Sequence, residues 1–180
     1  MYFAFYYLSS FSRDELDDPF SFEQSLNLLL VLNGVGLVGR LLPNYIADKI
    51  GALNIFIPIC GVTSVLVFCW IAIKSSVSLY AWSALYGAFA GGIQSMFPAA
   101  LSFLTTDLRK LGVRMGMVFT IVSFATLTGP PISGAIVDAT GNYVAAQAFS
   151  GASLALGCLF LVLSKRVSMK KTGQGWMGKV

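Results

Sequence analysis

Long apolar runs, separated by short polar segments, are the feature that most constrains how this chain can fold. Five runs are long enough to cross a hydrocarbon core of about 30 Å as helices that rise about 1.5 Å per residue. They lie near residues 24–46, 52–73, 78–104, 113–137 and 143–164. A sixth apolar run, near residues 1–10, reaches only about half of that thickness. The sequence therefore predicts an all-α integral membrane protein with five complete spans and one partial span.

Composition agrees with these spans and narrows the classes of function. Of the 180 residues, 56% are hydrophobic and 11% are charged, whereas a typical soluble domain carries about 25% charged residues. The sequence has no histidine, and its basic residues are scattered between apolar runs. The spans contain no catalytic carboxylate pair and no cluster of metal ligands. We therefore expect no enzyme activity and no catalytic residue, and no cofactor, metal site or nucleic-acid partner.

The positions of lysine and arginine predict the side of the membrane on which each loop lies. With the side after residue 10 taken as outside, Arg13 and Lys74 fall outside and the other ten of the 12 basic residues fall inside. Such a split follows the positive-inside rule. The sequence thus predicts a multi-pass protein in a lipid bilayer, with a basic cytoplasmic tail at 166–180. It leaves open whether this is the plasma membrane or the vacuolar membrane.

A polar stripe runs along the first complete span. Asn33, Gly36, Arg40 and Asn44 recur at helical spacing, whereas the other faces carry Leu, Val and Ile. An arginine inside a span usually faces a bundle interior or an aqueous cavity, and the alternative is that it extends to the cytoplasmic interface. Arg40 lies about 12 Å from Asp48 along the helix axis. This depth favours the cavity.

The span at 78–104 carries a second stripe. Gly87-x-x-x-Gly91 allows another helix to approach closely. Pro98 removes the backbone donor of the Gln94 carbonyl, so Gln94 can offer side-chain and backbone groups to a cavity. A hydrogen bond from Gln94 to another helix is an equally good interpretation. Tyr6, in the aromatic first segment, either lines the cavity or anchors the membrane interface.

The segment Gly129-Pro130-Pro131 lies inside the fourth complete span. Proline has no N–H, so the carbonyls of Thr126 and Leu127 lose their usual helical donors. Breaks of this kind are tolerated where protein or a water-filled cavity satisfies the backbone, and they recur in transporters. The sequence therefore predicts a helix break here, as a bend or an unwound turn.

These residues together resemble the C-terminal half of a major facilitator superfamily transporter, of the fungal monocarboxylate-transporter-like (monocarboxylate porter) branch. GRLLPNYIADKIG at 39–51 resembles the eighth family helix with its cytoplasmic loop, and GPPISGAIVD resembles the eleventh. YGAFAGGIQSMFPAAL resembles the tenth. The resemblance covers 1–165. It implies the C-terminal six-helix half of a major facilitator fold, with the first helix truncated.

The resemblance also implies a function. Such a carrier moves a small organic anion, such as a monocarboxylate, by alternating access, and it needs an N-terminal six-helix half. Arg40 matches the arginine that engages the substrate carboxylate in monocarboxylate carriers. The residues expected to bind substrate are Arg40, Asn33, Gln94 and Tyr6. The residues that match the cytoplasmic loop motif are Asp48, Lys49 and Gly51.

Two positions depart from the family pattern. Gly36 stands where these carriers have an aspartate linked to proton coupling, so symport with protons by this half is unsupported. Asn44 stands where the loop signature usually has glycine. A different class of function stays open, namely a truncated, non-transporting membrane protein or a packing partner of an intact carrier.

Overall fold

Helices make up nearly all of the part of the chain that the structure describes, which is residues 1–103, 105 and 108–172. The structure is a computed structural model. Over these residues the elements are α1 (Tyr2–Asp14), α2 (Phe22–Ile50), α3 (Ala52–Trp70), α4 (Ser76–Phe103), a 3-10 turn (Leu108–Lys110), α5 (Leu111–Thr140) and α6 (Val144–Thr172). The predicted all-α fold is confirmed, and each observed helix overlaps a predicted span.

Length and hydropathy separate these helices into two groups. Within the described residues, four helices are long and apolar enough to cross a membrane, namely α2, α3, α5 and α6. Helix α4 has 28 residues but is not among them, because its Gly, Ser, Tyr and Gln residues lower its mean hydropathy. Helix α1 has 13 residues. Four spans support a multi-pass membrane protein, and the crossing of α4 stays a prediction.

The helices pack around α4, which lies against both α2 and α3. Helix α3 also packs on α6, and α1 packs on α2 and α5. One buried cluster joins α1 to the end of α3 and the start of α4, with Leu8, Trp70 and Tyr86 at its centre. A second cluster joins the other ends of α2, α3 and α4 around Phe56 and Met96. The two clusters hold the bundle together at both ends.

Glycines bring the backbones of α2 and α4 into direct contact. A Cβ at Gly39 would collide with the carbonyl oxygen of Ala88, and one at Gly91 would collide with that of Gly36. Such contact is possible only where neither helix has a side chain at the crossing. The close approach predicted from Gly87 and Gly91 is therefore confirmed, with α2 as the partner helix.

Helix α5 corrects one prediction. It continues through Gly129, Pro130 and Pro131 without an unwound turn, so the predicted break in that form is wrong. The fixed φ of proline lies in the helical range, so the pair removes two backbone bonds and strains the preceding turn without requiring that it unwind. In addition, the Tyr7 hydroxyl donates to the Pro130 carbonyl oxygen at an O–O distance of 3.0 Å, which ties α5 to α1. A bend of the helix axis at this point stays a prediction.

Residues 166–172, at the beginning of the predicted tail, are helical. Helix α6 continues to Thr172, since residues 166–172 contain no Gly or Pro that would end it. Lys165, at the boundary, is buried and donates to the side chain of Asn54 on α3. The rest of the predicted tail, 173–180, lies outside the described residues.

The orientation predicted from the basic residues is testable by cysteine labelling. We expect a membrane-impermeant maleimide to label Asp18→Cys in intact cells, and to label Lys49→Cys and Lys170→Cys only after permeabilisation. The reason is the distribution of basic residues, and the measurement is labelling in a background without the three natural cysteines. Asp18 and Lys49 are both exposed, so a difference in labelling between these two positions reflects the side of the membrane and not burial. Labelling of Lys170→Cys in intact cells would contradict the orientation.

Candidate substrate-binding site

Arg40 lies near the middle of α2 and contacts Gln94 of α4. Its Cα is about 16 Å from the end of α2 at Gly51 and about 6 Å from the midpoint of the helix. The Arg40 Nη2 donates to Gln94 Oε1 at an N–O distance of 2.8 Å. Arg40 is exposed and Gln94 is half-buried. The structure thus brings two of the four predicted site residues together on an open face of the bundle, and Gln94 makes the interhelical bond that was one of its two interpretations.

The backbone under this pair is held by further polar contacts. The Arg40 carbonyl oxygen accepts from Asn44 Nδ2 at 2.8 Å and from Ser95 Oγ at 3.2 Å. Ser95 also donates to Gly92 within α4. Since Gly39 of α2 lies directly on the backbone of α4, the two helices cannot separate without breaking these bonds. The glycine contact therefore positions the guanidinium beside Gln94.

The Arg40–Gln94 pair presents hydrogen-bond donors. Within the described residues, the guanidinium bonds to a neutral amide and forms no ion pair. The amide oxygen of Gln94 is directed at Arg40, so its two N–H donors are directed elsewhere. An arginine has five N–H donors, of which one is used here. Donors and a permanent positive charge on one surface suit an anion such as a carboxylate.

The other two predicted site residues do not join this pair. Asn33 lies on the same face as Arg40, about 10 Å away along α2, and its amide donates to the Leu29 carbonyl oxygen at 2.9 Å. Tyr6 is 65% exposed and borders neither the cavity of about 220 Å³ beside Gln94 nor a cavity of about 410 Å³ between α1, α5 and α6. Its neighbour Tyr7 instead makes the bond to α5. The expected roles of Asn33 and Tyr6 stay predictions.

A cavity of about 220 Å³ adjoins the Arg40–Gln94 pair. Gln94 and Phe97 of α4, Phe119 and Val122 of α5, and the start of α1 form its walls. Gln94 is the polar side chain in this mostly apolar lining.

The predicted loop motif lies where α2 meets α3. Asp48 and Lys49 belong to the last turn of α2, so Gly51 alone forms the connection, with φ 105° and ψ 137°. Its N–H donates to the Ala47 carbonyl oxygen at 2.7 Å. Lys49 Nζ lies 4.5 Å from the ring centroid of Tyr45, a cation–π contact that also suits a helix C-terminus. Asp48 is exposed and points its charge away from the described bundle.

The positive φ of Gly51 gives a direct test of this connection. We expect Gly51→Ala to destabilise the chain by about 1–2 kcal/mol, because a side chain at this φ is strained. The measurement is the apparent Tm of the purified chain. Gly112→Ala is the control, since Gly112 lies in α5 with open space around it. Equal Tm values for the two variants would show that the α2–α3 connection tolerates a side chain.

Two contacts near the helix ends had no clear signal in the sequence. At the end of the bundle where α2 meets α3, Asn54 donates to the Ile50 carbonyl oxygen at 2.7 Å while its own side-chain oxygen accepts from Lys165. At the opposite end, the Tyr143 hydroxyl donates to Asp14 Oδ2 at 2.8 Å. Burial, and then the hydrogen bond to Asp14, raise the pKa of Tyr143. Its phenol therefore stays protonated, and a donor, over the ordinary pH range.

Comparison with known proteins gives one family. A family model described as Major Facilitator Superfamily matches residues 1–177. An MFS-type transporter of Gibberella zeae is 47% identical over 171 residues, which are 94% of this chain and 39% of that protein. The Aspyridones efflux protein apdF of Emericella nidulans is 36% identical over 148 residues, or 82% of this chain and 30% of that protein. The chain thus spans well under half the length of these relatives.

Proposed function

This chain belongs to the Major Facilitator Superfamily, and we propose that it moves a small organic anion, such as a monocarboxylate, by alternating access, as the C-terminal half of a carrier. The observation that carries this proposal is the Arg40–Gln94 pair, a permanent charge near the middle of a span with a neutral partner. A charge without a counter-charge in a span is costly. A bound anion supplies that counter-charge. After the anion is released, the empty site can reorient toward the other face of the membrane.

An N-terminal six-helix half is the partner that this proposal requires. Helix α5 is apolar and has no buried residue in its most apolar window, and α2 exposes Leu37 and Leu41 on either side of Arg40. A second half covers these faces and encloses Arg40 in a central cavity. Asp48, exposed at the end of α2, is then free to meet the positive end of a helix of that half.

Proton coupling by this half has no structural support. Gly36, at the position of the coupling aspartate in related carriers, is buried, and a Cβ there would lie 3.2 Å from the Gly87 carbonyl oxygen. A carboxylate at this position would face a backbone oxygen at close range and disrupt the contact with α4. We therefore place anion binding, and not proton transfer, in this half, in the plasma membrane or the vacuolar membrane with a cytoplasmic C-terminus.

Uptake by proteoliposomes tests the function. The protein is a full-length carrier that contains this half, and the probe is a radiolabelled monocarboxylate, with the alcohol of equal carbon number as the uncharged control. We expect saturable uptake of the acid and none of the alcohol, and no uptake by the half alone. Equal uptake of acid and alcohol would contradict anion transport, and uptake by the half alone would contradict the need for a second half.

The second candidate is a non-transporting partner of an intact carrier. The exposed apolar faces of α2 and α5 favour it, because they can pack on another membrane protein as well as on a second half. Addition of this chain to proteoliposomes that hold the intact carrier distinguishes the two. A packing partner changes the uptake rate of that carrier in proportion to the amount of chain added, whereas a half that acts only within its own carrier leaves the rate unchanged.

A further inference from the structure

Two of the three cysteines face each other where α3 packs on α6. Cys60 of α3 is 5% exposed, and its Sγ lies 4.0 Å from the Leu154 carbonyl oxygen of α6. Cys158 of α6 is half-buried, and its Sγ lies 3.6 Å from the Ile57 carbonyl oxygen of α3. Each thiol therefore reaches across the interface to the other helix, and the two thiols lie within hydrogen-bonding reach of each other.

The interface between α3 and α6 is narrow at this level. One turn farther along α3, the Ser64 hydroxyl donates to the Gly151 carbonyl oxygen of α6 at 3.1 Å. A Cβ at Gly61 of α3 would lie 3.8 Å from the sulfur of Cys158, which is ordinary van der Waals contact. A disulfide forms only where two cysteines approach closely with their side chains turned toward each other. The small residues around the two thiols provide that close approach.

The third cysteine has different surroundings. Cys69 lies near the end of α3 and is exposed. Nine residues separate it from Cys60, which turns it to about the opposite face of the helix. Cys69 is therefore an internal control for the reactivity of an ordinary thiol, whereas Cys60 and Cys158 form a pair.

The pair lies near the middle of two apolar helices. Cys60 is the ninth of the 19 residues of α3, Cys158 is the fifteenth of the 29 residues of α6, and both helices can cross a membrane. Glutathione and thioredoxin, which keep cytosolic thiols reduced, are a charged peptide and a protein, and charged groups are costly inside a bilayer. Hydrogen peroxide is small and uncharged, so it can reach thiols that these reductants do not reach.

We infer that Cys60 and Cys158 are a peroxide-sensitive pair, which forms a disulfide that joins α3 to α6. Peroxide first oxidises Cys158, the more accessible thiol, to a sulfenic acid, and one water molecule leaves. The Cys60 sulfur then attacks the Cys158 sulfur. The S–S bond forms, and the sulfenic hydroxyl leaves with the Cys60 proton as a second water molecule. Two thiols thus lose two electrons, and one peroxide is reduced to two water molecules.

This disulfide is independent of the proposed anion site. Arg40 and Gln94 belong to the contact between α2 and α4, whereas the thiols belong to the contact between α3 and α6. The cross-link therefore joins two helices that do not carry the Arg40–Gln94 pair, and the inference does not rest on the proposed function.

Peptide mass spectrometry of the whole chain in lipid nanodiscs tests the disulfide. Trypsin cleaves after lysine and arginine, which places Cys60 and Cys69 in the fragment 50–74 and Cys158 in the fragment 115–165. After treatment with hydrogen peroxide at a concentration that oxidises Cys69, we expect these two fragments to be joined, with two hydrogen atoms fewer than their sum. A membrane-permeant phosphine should separate them.

The three cysteines supply the variants and the matched control. Cys60→Ser and Cys158→Ser should each abolish the joined fragments, whereas Cys69→Ser should retain them. Joined fragments that persist in Cys60→Ser and are lost in Cys69→Ser would contradict the pairing. Absence of joined fragments from the parent chain would overturn the inference.

A displaced thiol tests whether the facing geometry matters. Ile59 precedes Cys60 and points toward α4, where its Cδ1 would lie 3.6 Å from a Cβ at Gly92. In the combined variant Cys60→Ser with Ile59→Cys, we expect no joined fragments, because the new thiol faces α4 and not α6. Joined fragments as abundant as in the parent would show that the reaction does not depend on the contact between α3 and α6, and the inference would fall.

The disulfide should also stabilise the chain. It closes a loop of about 100 residues, and a cross-link of that span removes much of the freedom of the unfolded chain. We expect peroxide to raise the apparent Tm of the parent by about 5–10 °C, and the phosphine to reverse this rise. Peroxide should leave the Tm of Cys158→Ser unchanged. An equal rise in Cys158→Ser would assign the effect to oxidation elsewhere and contradict the cross-link.

Discussion

Replacing Gly39 by alanine is expected to destabilise this chain by about 3 kcal/mol or more, and so to lower its apparent Tm by roughly 6–12 °C. The added Cβ would overlap the carbonyl oxygen of Ala88, which belongs to the backbone of α4 and has no rotamer by which to move away. Relief requires the two helices to separate. Separation breaks the bond that the Arg40 guanidinium donates to Gln94 and the bond that Ser95 donates to the Arg40 carbonyl oxygen, so fold and site are lost together.

The thiol of Cys60 reports this unfolding, since it is buried in the folded chain. A thiol-reactive fluorophore measures its exposure as temperature rises, in a background where Cys69 and Cys158 are replaced by alanine. Gly34→Ala is the matched control, because Gly34 lies in the same helix with nothing within 4 Å. It should be neutral or slightly stabilising, as alanine favours a helix by up to about 1 kcal/mol over glycine. Equal Tm values for the Gly39 and Gly34 variants would mean that α2 and α4 are farther apart than described.

The features that could be predicted from the sequence are those whose pattern has a single structural meaning. Apolar runs of helical length gave the helices, and the glycines at 87 and 91 gave a close crossing, because only residues without side chains permit one. A contact between Arg40 and Gln94 could be expected on the same grounds, because each residue lies on the small-residue face of its helix. The sequence could not show which helix packs on each of these faces, because the polar stripes of α2 and α4 are each compatible with several neighbouring helices.

Two features of the structure depend on tertiary packing and could not be read from the sequence, namely the continuity of α5 and the different surroundings of Tyr6 and Tyr7. The proline pair predicts two lost bonds, but whether α5 unwinds depends on its neighbours, and Tyr7 of α1 holds the Pro130 carbonyl. The adjacent residues Tyr6 and Tyr7 look alike in sequence. The rotation of α1 is fixed by Phe3 and Leu8, which are buried, and this rotation turns Tyr7 toward α5 and leaves Tyr6 exposed.

Replacing Arg40 by leucine is expected to lower anion uptake by about 30-fold or more in the full-length carrier. Loss of one member of a desolvated charge pair costs about 2–5 kcal/mol, which spans a range from roughly 30-fold upward. Arg40→Lys keeps the charge but loses the planar fork that grips a carboxylate with two bonds. We expect it to retain about a tenth of the uptake rate. The measurement is uptake of a labelled monocarboxylate by proteoliposomes with matched amounts of protein.

Gln94→Glu gives the sharper test, because it leaves Arg40 in place. The new carboxylate would replace the amide whose oxygen lies 2.8 Å from the guanidinium, and so it would act as a built-in counter-charge for Arg40. Uptake should fall about as far as in Arg40→Leu, while the apparent Tm is unchanged or higher, since an ion pair replaces a neutral bond. Gln94→Leu, which removes the bond without adding charge, should retain more uptake than Gln94→Glu. If Gln94→Glu transports the anion as fast as the parent, the charge of Arg40 does not bind substrate, and the arginine serves only to join α2 to α4.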